Sequence, residues 1–171
     1  MARREVRITR ERAPYIRVGT PIVTVMLGSM IPSMLPMIAQ SPVIPPFGLL
    51  ILLAWRLLRP ELWPAWIGAP LGFFDDLISG QPLGSSVFLW TATLLAIEAA
   101  STRLLWRDYW QDWLIAAISV IFCLTGGWLF ARLAGGGGTI LLIVPQMVFS
   151  ILLFPECARL CSHFDRWRLP A

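Results

Sequence analysis

A chain of 171 residues would suit one soluble domain, but 57% hydrophobic and only 14% charged residues, with a mean hydropathy of +0.69, belong to a polytopic membrane protein with little soluble mass. The net charge of +4 comes from 14 arginines, no lysine and 10 acids, and the placement of the arginines reads as membrane topology rather than as a nucleic-acid surface. Three cysteines, Cys123, Cys157 and Cys161, form neither a disulfide framework nor a four-ligand metal site and read as packing residues.

Residues 1–17 set Arg3, Arg4, Arg7, Arg10, Arg12 and Arg17 against Glu5 and Glu11, a basic arm ahead of the first apolar run. That run, 18–40, is too long for a cleaved signal peptide and is followed by further spans, so it is expected to stay in the mature chain. Pro32 and Pro36 interrupt its hydrogen-bond ladder and predict a kink or unwinding. Span two, 43–58, begins at Pro45-Pro46 and is short for a crossing, with Arg56 expected to snorkel to the near surface. Span three runs over 63–79 and turns through GQPLG into span four, 83–102. Span five, 113–133, ends at Arg132 before Gly135 to Gly138, which lack the Lys-Ser/Thr continuation of a phosphate loop. Span six, 139–160, holds Pro145 and Pro155 and leaves a basic tail, 161–171.

The expected fold is therefore an all-α membrane protein, a six-helix bundle over 18–160 between a basic cytoplasmic arm and a short cytoplasmic tail. Thirteen of the 14 arginines fall on one face of that topology and only Arg132 on the other, which puts both termini in the cytoplasm by the positive-inside rule. Trp55, Trp63, Trp66, Trp106, Trp110, Trp113 and Trp167 lie near the same ends, at the level where indole rings favour the headgroup layer.

The most informative stretch is GAPLGFFDDLISGQPLG, from Gly68 to Gly84. Gly68, Gly72, Asp76 and Gly80 recur every four residues, so a helix would align them in one stripe that lets another backbone approach the carboxylate. Asp75 points about 100° away from Asp76 and needs a different environment. A carboxylate at the centre of a membrane helix costs about 2.5–3.5 kcal/mol, so Asp75 and Asp76 are expected either to serve a function or to be pinned by a neighbour or half solvated near the outer surface. Arg132 ends span five on that side and is the candidate partner. Glu98 lies too far along span four to relay protons with Asp76, and its expected partners are Arg56, Arg103 or Arg107.

No catalytic set emerges, because GxSxG and HExxH are both missing and the one histidine, His163, lies in the tail. Neither a cofactor nor a metal site is expected.

The Pro-Pro start of span two, its WRLLRP end and above all GFFDDLISGQPLG resemble the MreD family of rod shape-determining membrane proteins. The pattern G-x-x-x-D-L-x-x-G-x-x-L-G is matched by Gly72, Asp76, Leu77, Gly80, Leu83 and Gly84, with Asp75 as an extra acid. The resemblance implies a non-enzymatic scaffold in the bacterial inner membrane, paired with MreC and associated with MreB, RodA and the elongation transpeptidase. Gly68, Gly72, Asp76, Gly80 and Gly84 would then hold the bundle together or receive a partner's helix. The family is also similar in fold to the membrane substrate-binding components of energy-coupling-factor transporters. That likeness implies an alternative, a small-solute binding or transport subunit with Asp75, Asp76 and Glu98 around a polar cavity. Basic segments that could meet anionic membrane lipid fit either reading.

Overall fold

A computed structural model describes residues 14–34, 44–101, 108–136 and 138–168. Among these, every regular element is helical: α1 (Pro14–Met30), α2 (Phe47–Leu58), α3 (Gly68–Ser79), α4 (Ser85–Ser101), α5 (Tyr109–Leu133) and α6 (Val144–Arg168). The six predicted spans thus correspond to six helices in the predicted order. Their lengths are unequal, however, and among the described residues α5 and α6 alone are both long and apolar enough to cross a bilayer.

The interruption expected in the first predicted span falls at Pro32. Helix α1 stops at Met30, and Pro32 opens a short 3-10 turn, Pro32–Met34; Pro36 lies outside the described residues. Short 3-10 turns also lead into α3 (Ala65–Ile67) and α6 (Ile140–Ile143). The inserted Pro145 costs little because it occupies the first turn of α6, where a backbone N–H has no helical acceptor.

The helices close a ring. In the cyclic order α1, α3, α4, α5, α6 each packs on the next, and α6 returns to α1. Helix α2 fills the middle: it packs on α1, α5 and α6, and only its first and last residues escape full burial. Twelve residues rise about 18 Å, well short of the ~30 Å hydrocarbon layer, so α2, apolar except for Arg56 in its last turn, is held by the protein that surrounds it.

The WRLLRP segment that ends α2 ties this centre to three neighbours. Trp55 donates its indole N–H to Thr24 Oγ1 on α1 at 2.9 Å. Arg56 donates to Glu98 on α4 at 3.1 Å and to the Pro60 and Trp63 carbonyls at 2.9 and 2.6 Å. Arg59 donates from Nε and Nη2 to Asp165 Oδ2 on α6 at 3.1 and 3.0 Å. The expected snorkelling of Arg56 is corrected here: the residue is 4% exposed, because the chain after α2 folds back over it and supplies carbonyls in place of water. The expected Arg56–Glu98 pairing is present, while Arg103 and Arg107 lie outside the described residues. The C-terminal ends of α2, α4 and α6 meet at one end of the bundle through these contacts.

Candidate functional site

Helix α3 and the start of α4 form an antiparallel hairpin, the most extensive helix pairing in the fold. The closeness comes from glycine. A β-carbon at Gly72 would lie 2.6 Å from the Ser86 carbonyl oxygen and 2.8 Å from the Val87 nitrogen; one at Gly68 would lie 2.9 Å from the Thr91 nitrogen. All three are backbone atoms that cannot swing aside, so α4 rests directly on the α3 backbone.

One turn beyond Gly72, Asp76 is 2% exposed. Its Oδ2 accepts the Gly84 N–H at 2.7 Å; its Oδ1 accepts the Ser86 N–H at 2.9 Å and the Ser85 hydroxyl at 3.2 Å. The first turn of any helix leaves backbone N–H groups without acceptors and carries the positive end of the helix dipole. Asp76 therefore does the work of an N-cap for α4, but from the preceding helix. This geometry also corrects the expected pairing with Arg132. The carboxylate is satisfied eight to ten residues downstream in its own hairpin, and the Arg132 guanidinium instead lies 5.3 Å over the Trp128 ring.

The four-residue stripe divides into two jobs. Gly68, Gly72 and Asp76 share the face toward α4. Helix α3 ends at Ser79, and Gly80 adopts a left-handed conformation with φ 68°, while Gly84 has φ 95°. Nothing crowds either position; each is glycine because the backbone turns there. The turn carries the Gly84 N–H back to Asp76.

Asp75 is half-buried on another face of α3 and accepts the Ser86 hydroxyl at 3.2 Å. The adjacent serines Ser85 and Ser86 thus serve the adjacent acids Asp76 and Asp75. Ser29 of α1 lies near Asp75 without closing a hydrogen bond. Its side chain fills a notch at Gly48, where a β-carbon would overlap its hydroxyl, and a β-carbon at Gly28 would lie 2.7 Å from Ile51 and 3.2 Å from the Gly48 nitrogen. This second glycine crossing, between α1 and α2, carries no within-helix period that would mark it in the sequence.

Glu98 belongs to the opposite end of α4, twelve residues or about 18 Å of helix from Ser86, in its pair with Arg56. The structure therefore brings Gly68, Gly72, Asp75, Asp76 and Gly84 together and leaves Glu98 and Arg132 in separate places. Among the described residues no group of three or more His, Cys, Asp or Glu is placed to hold a metal ion. Cys123 packs in the core with its sulfur 3.2 Å from Thr93 Oγ1, and Cys157 and Cys161 are buried on α6. The described cavities have none of Asp75, Asp76 or Glu98 in their linings.

Compared with known families, residues 15–163 match the model described as rod shape-determining protein MreD. No curated protein and no solved structure matches the chain.

Proposed function

The chain belongs to the MreD family of rod shape-determining membrane proteins, and from that premise we propose that it is a non-enzymatic scaffold subunit of the bacterial cell-elongation complex. In this reading the domain over 18–160 crosses the inner membrane six times, and the arm 1–17 and tail 161–171 are cytoplasmic. The chain pairs with MreC and associates with MreB, RodA and the elongation transpeptidase.

The observation that supports a scaffold is the closure of Asp76 onto α4. A carboxylate inside a membrane protein marks either a working site or an internal tie, and here each oxygen is tied within the chain. The bundle is fixed from inside, which leaves outward apolar faces, such as Leu114, Ile118 and Leu129 on α5 and Leu152 on α6, for lipid or for other helices. A small-solute subunit, the function that a likeness to energy-coupling-factor components would favour, needs its polar groups on an open cavity. An Asp76 that is 2% exposed, with both oxygens bonded inside the hairpin, supports that reading less.

The test is co-purification of MreC with the full-length chain from detergent-solubilised membranes, beside an unrelated polytopic protein. Capture of MreC by this chain alone is the expected result. A folded, monodisperse chain that leaves MreC behind would overturn the pairing and direct attention to bound small molecules.

A further inference from the structure

We propose that the groove between α2, α5 and α6, at the arginine-bearing end of the bundle, binds one anionic phospholipid. It encloses about 410 Å³, a size typical of ligand sites, and it is amphipathic along its length. Ala54, Leu57 and Phe154 form an apolar floor, Trp113 forms a wall, Arg166 stands at the polar end, and Arg159 lies two turns before it on the same helix. On α6 alone, Phe154 and Arg166 are twelve residues apart, about 18 Å of helix, which separates the oily end from the cationic end by more than the length of a headgroup. The Trp113 indole is held in place by its bond to the Ile151 carbonyl.

Charge selects the occupant. Arg166 is exposed and makes no ion pair with any described residue, and the 73% exposed Arg159 shares one nitrogen with Glu156. Asp112 is the acid in the groove lining and already has an interaction of its own. Segments of this chain have the wrong sign to fill the polar end. The arm 1–17 carries six arginines against two glutamates, and 102–107 carries Arg103 and Arg107 with no acid. A phosphodiester headgroup at Arg159 and Arg166, with its acyl chain along the floor, satisfies both ends of the groove. Free phosphate would use one end and leave the apolar floor open. The inference rests on this end lying at a membrane surface and is independent of pairing with MreC.

The full-length chain in neutral detergent is titrated with phosphatidylglycerol, phosphatidylcholine and inorganic phosphate, with binding followed by native mass spectrometry and by thermal stability. The expected result is one retained phosphatidylglycerol, with no comparable effect from the other two. Arg166→Gln should weaken retention roughly five-fold, and Arg159→Gln with Arg166→Gln on the order of 20-fold, from the contribution of each basic group near an anionic surface. Arg132→Gln, outside the groove, should change nothing. Equal retention of phosphatidylcholine, full competition by inorganic phosphate, or unchanged retention by the double variant would overturn the proposal. So would a double variant that loses MreC while phosphatidylglycerol never bound, which would make the groove a protein-docking site.

Discussion

Trp113 on α5 donates its indole N–H at 3.3 Å to the carbonyl of Ile151 on α6, the carbonyl that Pro155, four residues on, cannot engage because proline has no N–H. A gap in one helix is thus filled by its neighbour. Trp113→Phe should lower stability in detergent by about 1 kcal/mol, the net worth of a hydrogen bond. In a Pro155→Ala background, where residue 155 can supply an N–H of its own, the same change should cost less. A double-mutant cycle on unfolding free energy reads the coupling; strict additivity would show that the indole does not compensate for the proline.

Glycine substitutions should separate packing from turning. Gly72→Ala puts a methyl against the α4 backbone, and overpacking of this kind costs about 1–3 kcal/mol. Gly80→Ala meets no atoms but holds a left-handed conformation, at about 1–2 kcal/mol. Gly19→Ala, in a helix with open space around it, should stabilise by about 0.5–1 kcal/mol. Thermal unfolding of the three variants checks the order; a neutral Gly72→Ala would mean that α3 and α4 are not in backbone contact.

The Arg56 cluster should be intolerant of a flexible cation. Arg56→Lys keeps the charge but cannot span the Pro60 and Trp63 carbonyls and Glu98 with one planar group. The loss should be about 1–3 kcal/mol, from buried carbonyls left without their donor. Glu98→Gln should cost well under half as much, since the Glu98 side chain is 52% exposed. Unfolding of both variants in the same detergent makes the comparison, and equal losses would show that the carbonyl contacts contribute nothing.

The order of elements is legible in the apolar runs, and the shared face of Gly68, Gly72 and Asp76 follows from four-residue spacing alone. The same spacing extends the stripe wrongly to Gly80, because periodicity does not say where a helix stops. Arg56 reads as a surface residue because hydropathy along one span cannot reveal that the chain after α2 folds back over it. The Asp76–Arg132 pairing failed for a related reason: topology fixes which helix ends share a side, but not which neighbour fills the space beside a carboxylate. The signal that would have found the true partners is local. Ser85 and Ser86 follow the turn at the start of span four, where unpaired N–H groups gather. The Gly28, Ser29 and Gly48 crossing joins two spans and has no such local mark.

The most direct measurement is the unfolding temperature of Asp76→Ala and Asp75→Ala, each taken together with capture of MreC. Asp76→Ala leaves the buried Ser86 N–H and Ser85 hydroxyl without their acceptor and frees the Gly84 N–H of the exposed turn, at about 1–3 kcal/mol, so it should unfold well below the wild-type chain. Asp75→Ala should unfold close to wild type. Wherever an Asp76→Ala preparation remains folded, it should still capture MreC. A variant as stable as wild type that no longer captures MreC would contradict the account, because it would place Asp76 on a partner surface rather than inside the hairpin.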